Sequence, residues 1–170
     1  MFWSDKEANS ITLIDQSAFR DCSNLCYFEM PTAVTEIRQY AFNSCTNFMT
    51  GNNIGDLEIE EFFNNIQYIG NFVFGNCTNG FANANIKFGS PLISIGRASF
   101  LQCKMNTIEF GSPSEPSNID PSQCGTQIFN SCLNLKSIHV YSDNSSISSF
   151  SSCFGIDGIT FTYGMVKEAW

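Results

Sequence analysis

Phenylalanine and cysteine recur along the chain at one fixed spacing, with the cysteine three residues after the phenylalanine. The spacing occurs six times, and successive cysteines are 23, 32, 26, 29 and 21 residues apart. This recurrence predicts an internal repeat in which each unit forms one coil of a solenoid. The repeat positions are Phe19, Cys22, Phe42, Cys45, Phe74, Cys77, Phe100, Cys103, Phe129, Cys132, Phe150 and Cys153.

Apolar residues also recur on either side of these pairs. Five residues before the phenylalanine stands Ile14, Ile37, Ile69 or Ile95, with Cys124 in the fifth unit. Later in the unit, an alternating pair of apolar residues predicts a strand with one buried face, and such strands would stack into a parallel sheet. The segment Ala-Phe-x-x-Cys fits a short helical or 3-10 turn that closes the coil. The alternating pairs are Ile86 and Phe88, Ile108 and Phe110, Ile138 and Val140, and Ile159 and Phe161.

Each coil is too short to bury its own apolar face, so neighbouring coils must cover one another. We expect about five to six coils. The predicted organisation is an N-terminal cap segment at residues 1–10, repeats at 11–153, and a last strand with a C-terminal cap at 154–170. Each buried phenylalanine is expected to contribute roughly 1.5–3 kcal/mol.

The combined pattern, Ile-x-x-x-Ala-Phe-x-x-Cys-x-Asn-Leu-x-x-Ile, resembles the BspA-like leucine-rich repeat. The resemblance covers nearly the whole chain and is clearest at residues 11–48 and 66–110. It implies a leucine-rich-repeat solenoid of the α/β type, with a parallel sheet and short helical or 3-10 turns. It also implies non-enzymatic protein binding or adhesion at a surface, with no particular ligand.

The charge balance bears on the class of partner. Eight Lys and Arg stand against sixteen Asp and Glu, which gives a net charge of −8 and a pI near 4.4. Nucleic acid is therefore excluded as an expected partner, because phosphate binding needs a basic surface. No apolar run approaches the roughly 18 residues of a membrane helix, so no membrane insertion is expected.

The expected location of the protein rests on two conflicting indications. The family resemblance indicates the cell surface or the extracellular space. The first residues, Met1 to Glu7, lack the basic flank and apolar stretch of a signal peptide. Free thiols are also compatible with the cytoplasm. The location therefore stays open between these alternatives.

Eight cysteines raise the question of disulfides, metal binding or catalysis. Six of them share one repeat position, which predicts a column of small buried thiols rather than disulfides. Cys22 and Cys26 have no matching second pair for zinc. Nucleophile elbows and His-Glu-x-x-His motifs are absent, so neither an enzyme nor a cofactor is expected. A thiol meeting His139 in space is the enzyme alternative, and no motif supports it.

Two kinds of surface are candidates for binding a protein partner. The first is the outward side of the predicted strands, where we expect Lys87, Glu109, His139 and Thr160 to form a row with Tyr141 at its border. The second is the inserted connections, which often carry function on a regular scaffold. Residues 50–56, with Asn52, Asn53 and Asp56, form the larger insertion. Residues 111–118 are Pro- and Ser-rich and are predicted to be extended.

An acidic run at residues 56–61 follows the larger insertion. It is interpreted either as an ordinary solvated face or as an attraction for a cation or a basic partner. The function predicted for the whole chain is a non-enzymatic interaction or adhesion module that uses the solenoid face and the inserted loops. The alternative is a structural building block packed into a larger assembly, such as a virion, a filament or a cytoskeletal array.

Overall fold

The computed structural model describes residues 10–50, 59, 61–142, 150–156 and 160–164. Over these residues the chain winds into coils that carry two parallel four-stranded sheets. The first sheet, called sheet A here, holds β1 (Leu13–Ile14), β2 (Glu36–Ile37), β3 (Tyr68–Ile69) and β5 (Ser94–Ile95). Sheet B holds β4 (Asn85–Phe88), β6 (Thr107–Phe110), β7 (Ser137–Tyr141) and β8 (Thr160–Gly164).

Sheet B is the parallel sheet predicted from the alternating apolar pairs, so the solenoid fold is confirmed. Ile86, Ile108 and Ile138 are in register, as are Phe88, Phe110 and Val140, and all six side chains are buried. The residues between them point to the opposite side and are partly accessible. This alternation is what the twofold period of a strand requires.

Sheet A was not predicted as a sheet, because each strand is only two residues long. Its buried positions are the isoleucines that precede each phenylalanine, and these are in register from coil to coil. In the fifth coil the same place is taken by a 3-10 helix, Pro121–Gln123, which Asp120 caps through a 2.9 Å hydrogen bond from the Ser122 amide. The Gln123 and Cys124 amides donate within this turn, to the carbonyls of Asp120 and Pro121, so sheet A ends there.

The segment between the two sheets is a tight turn that the next coil repeats. In the second coil, the Ala41 amide donates to the Arg38 carbonyl three residues earlier, and the Phe42 amide donates across to Val73 of the third coil. Tyr40 and Ser44 are left-handed, each with φ of 60°, which prevents these turns from continuing as a helix. The predicted turn therefore exists with 3-10-type bonds. Among the described residues, α-helix occurs at α1 (Ser151–Phe154) and at 59 and 61–62.

The repeat phenylalanines form a continuous column through the core. Ring centroids of Phe19, Phe42, Phe74 and Phe100 follow one another at 5.1, 5.4 and 5.1 Å. The first two pairs are nearly parallel, and the third is inclined by 30°. Phe129 continues the column at 5.4 Å from Phe100. Such contacts add to the burial of apolar area and fix the distance between coils.

The sixth coil departs from the sequence alignment. Phe154, rather than Phe150, stacks next to Phe129, with ring centroids 5.3 Å apart. Phe150 packs instead between Phe110 and Phe154, and the Cys153 thiol points to the Pro121 carbonyl at 3.8 Å. The reason is that α1 replaces the repeated turn here, and a helical turn shifts the positions that face the column.

The repeat cysteines form a second column, linked by hydrogen bonds to the backbone. The Cys45 thiol donates to the Phe19 carbonyl at 2.9 Å, and the Cys77 thiol donates to the Phe42 carbonyl at 3.2 Å. Cys103 and Cys132 repeat this contact with the phenylalanine of the preceding coil. All eight cysteines are free, and five are buried, whereas Cys22 at the first coil is exposed. A small thiol therefore both fills the space and satisfies a carbonyl.

Candidate functional site

The accessible side of sheet B carries charged and polar side chains in a row across the strands. Lys87 of β4, Glu109 of β6 and His139 of β7 are directly in register. The Lys87 ammonium lies 3.9 Å from the Glu109 carboxylate, and each side chain keeps more than a third of its surface accessible. A cross-strand pair of opposite charges stabilises the sheet modestly and leaves both groups available to a partner.

The fourth member of the row is Thr162, which corrects the expected position of Thr160. β8 is shifted by two residues from the sequence alignment, so that Phe161 pairs with Ile138 and Thr162 pairs with His139. The Phe161 ring stacks on Phe154 at 5.7 Å, and this packing sets the register. Thr160 pairs with Ser137, one step along the same face, because a shift of two residues keeps the side chain on its side of the sheet.

His139 is held in place by two neighbours on this face. Its Nδ1 atom is hydrogen-bonded to the Thr162 hydroxyl. Its ring also contacts the Tyr141 ring at a centroid distance of 4.3 Å. Tyr141 ends β7 and accepts a hydrogen bond from the Ser117 amide at its carbonyl, which places it at the border between the row and the loop 111–118.

A cavity of about 400 Å³ adjoins the row at Lys87. Gly89 and Ser90 line it from the end of β4, and Ser112 and Glu115 line it from the loop 111–118. The cavity therefore joins the sheet face to one of the inserted connections, and its lining is mainly polar. An arrangement of this kind can take hydrogen-bonding groups of a protein partner.

The loop 111–118 is a closed turn, which corrects the expectation of an extended segment. Ser112 and Glu115 exchange backbone hydrogen bonds of 2.8 and 3.2 Å, and Gly111 has a φ of +67° that starts the turn. Ser117 and Asn118 then donate to Tyr141 and Ser90 of neighbouring coils. These bonds bring both ends of the loop against the sheet, which sequence composition alone does not reveal.

The larger insertion belongs almost wholly to the part of the chain that is not described. The residues expected there, Asn52, Asn53 and Asp56, lie outside the described residues. Glu61 follows the insertion and is exposed, whereas Phe62 and Phe63 directly after it are buried. The chain thus returns to the core at this point.

A second cavity, of about 250 Å³, was not predicted from the sequence. It lies beside Glu61 and is lined by Phe28, Met30 and Met49, among others. The one sequence feature that points to this cavity is the acidic run at 56–61, because its last residue, Glu61, lines the cavity. The apolar lining comes from Phe28 and Met30, which belong to an irregular segment and show no periodicity.

The thiol chemistry of three cysteines in the column opposes a nucleophilic role for them. Burial raises the pKa of Cys45 and of Cys132 to about 12, and raises that of Cys103 well above its ordinary value. Since the thiolate is the nucleophile, these groups are unreactive near neutral pH. Across the described ranges, no group of three or more His, Cys, Asp or Glu side chains is arranged to hold a metal ion. None of the helices described is long and apolar enough to cross a membrane.

The fold and the accessible sheet face define a class of protein, a solenoid of stacked coils with a regular row of side chains along it. The family model described as BspA type leucine rich repeat region matches residues 6–57 and 49–167, with six copies. These matches extend over nearly the whole sequence, and the chain therefore belongs to the BspA-type leucine-rich repeat family. Repeats of this family generally serve as non-enzymatic scaffolds for protein interaction. Neither the curated proteins nor the solved structures gave a match.

Proposed function

We propose that the protein is an interaction or adhesion module that binds a protein partner through the accessible face of sheet B. The observation that carries the proposal is the in-register row of Lys87, Glu109, His139 and Thr162, with Tyr141 at its border. Its members alternate in charge and hydrogen-bonding capacity at the strand spacing. A partner surface with the complementary order of groups would be recognised over several coils at once.

The adjoining cavity supports the same face. It opens beside Lys87 and is bounded by Ser112 and Glu115 of the closed loop. A partner that covers the row can therefore place a polar side chain in the cavity, and the tethered loop lowers the entropic cost of binding.

The test is a charge exchange within the row. The double variant Lys87→Glu with Glu109→Lys keeps an ion pair of opposite charges but reverses its direction along the face. We expect the variant to fold normally and to lose capture of the partner that the unaltered protein enriches from its source. The single variant Lys104→Glu, at an exposed site outside the row, serves as the control and should keep partner capture. Unchanged capture by the double variant would overturn the proposal.

The second candidate function is that of a structural building block in a larger assembly. The backbone carbonyls of the first coil support it. Within the described residues, the carbonyls of Gln16, Ala18 and Arg20 accept no hydrogen bond, whereas the matching carbonyls of Gln39 and Ala41 accept from the first coil. Carbonyl groups at a coil edge that have no partner among the described residues can accept hydrogen bonds from another chain segment. Self-association that rises with protein concentration, measured by analytical ultracentrifugation, would support this candidate over the first.

A further inference from the structure

The cavity beside Glu61 combines an apolar floor with an acidic rim. Its floor is formed by Phe28, Met30, Val34, Met49 and Phe62. The floor is continuous with the core, because the Phe28 ring packs on Phe42 at 5.0 Å and on Phe62 at 6.3 Å. The Phe28 side of the cavity is thus part of the packed core.

Two carboxylates line the same cavity, those of Glu29 and Glu61, and both residues are exposed. Neither carboxylate is paired with a cation among the described residues, whereas Arg20, Arg38 and Lys87 each have an acidic partner. The negative charge at this rim is therefore not neutralised within the described part of the fold. A net charge of −8 on the chain adds to the attraction for a cation.

We propose that this cavity binds a lysine or arginine side chain of the protein partner. A long basic side chain has an apolar stem and a charged head, which matches an apolar floor beneath two carboxylates. Methionine side chains adapt to such a stem, and the exposed ring of Tyr27 at the rim adds an attraction for the cationic head. The inference rests on the proposed function, to which it adds the chemistry of one contact residue.

The binding experiment uses the full chain with methyl-labelled methionine, observed by NMR. The probe is the blocked tripeptide acetyl-Gly-Lys-Gly-amide, and its control is the same peptide with norleucine in place of lysine. We expect the lysine peptide to shift the methyl signals of Met30 and Met49 and to leave that of Met105 unchanged, because Met105 is buried elsewhere in the core. Equal shifts with the norleucine peptide would overturn the role of the carboxylates.

Variants then test the acidic rim directly. Each of Glu29→Gln and Glu61→Gln is expected to weaken binding of the lysine peptide by about two- to fivefold, and both together by about tenfold. Glu115→Gln removes the same charge at a different cavity and should leave the affinity unchanged. Unchanged affinity of the double variant would overturn the proposal.

The two proposals fail in different ways. If the lysine peptide causes no shift at Met30 or Met49 while the row variant still abolishes partner capture, the cavity proposal is wrong and the sheet face stands. If the peptide binds and capture survives the charge exchange in the row, the sheet face is wrong and the cavity stands.

Discussion

Replacing Phe74 by alanine tests the phenylalanine column at its centre. The side chain is fully buried, and six other phenylalanine rings lie within 6.2 Å of it between centroids. Removal of a phenylalanine side chain from a core costs about 3–5 kcal/mol. We expect a value of about 4–5 kcal/mol, because the surrounding rings belong to three or more coils and cannot all close the cavity.

The matched control is Phe19→Ala in the first coil. Phe19 is only partly buried and contacts two rings, Phe28 at 5.0 Å and Phe42 at 5.1 Å, so its loss should cost about 1–2 kcal/mol. Urea unfolding followed by circular dichroism gives both values from the midpoint and the slope. A milder variant, Phe74→Leu, keeps the comparison measurable if the alanine variant does not fold. An equal loss of unfolding free energy for Phe19→Ala and Phe74→Ala would contradict the claim that packing at the centre of the column determines the loss.

Three further predictions follow from the packing of the coils. Iodoacetamide should modify Cys22 in the folded protein and reach Cys103 only in urea, because Cys22 is exposed and Cys103 is buried, as mass spectrometry can establish. The free energy of unfolding should fall as the pH rises above 9. In that range the Cys132 thiol loses its proton in the unfolded chain but retains it in the folded protein, where its pKa is about 12. The Cys132→Ala variant should show a smaller decrease. Gly96→Ala should destabilise by about 1–3 kcal/mol in urea, since its Cβ would lie 2.5 Å from the Gly70 carbonyl carbon, whereas Ser94→Ala should change stability by about 0.5 kcal/mol or less.

The periodic part of the fold could be predicted from the sequence, because the residues that stack also recur. Phe42, Phe74 and Phe100 mark the column, and the alternation of Ile108 and Phe110 marks a strand of sheet B. Sheet A was not predicted, because a strand of two residues such as Glu36–Ile37 is too short to show an alternation of apolar and polar residues. Its existence depends on the stacking of coils, which is a long-range effect.

The register of the last strand was predicted wrongly for a similar reason. Alignment of Ile159 with Ile138 predicts Thr160 beside His139, whereas the structure pairs Phe161 with Ile138. The packing of Phe161 on Phe154 decides the register, and Phe154 lies outside the Phe and Cys spacing that defined the repeat. A local pattern cannot show which of two apolar residues packs on the preceding helix.

The cavity beside Glu61 was beyond sequence reasoning for a different reason. Met30 and Met49 come from two connections separated by a full coil, and neither belongs to the repeat. The sequence shows only the acidic run that ends at Glu61, and a solvated face explains that run without a cavity. Three-dimensional proximity is what makes these residues one site.

The most direct test of partner binding through sheet B is site-specific photo-crosslinking in an extract of the protein's source. A benzoylphenylalanine is placed at Tyr141, on the border of the row, or at Leu133, which is 92% exposed and outside the row. We expect one partner protein, identified by mass spectrometry, to be captured at Tyr141 and not at Leu133. Equal capture at both positions, or adducts formed only with further copies of the chain, would contradict it.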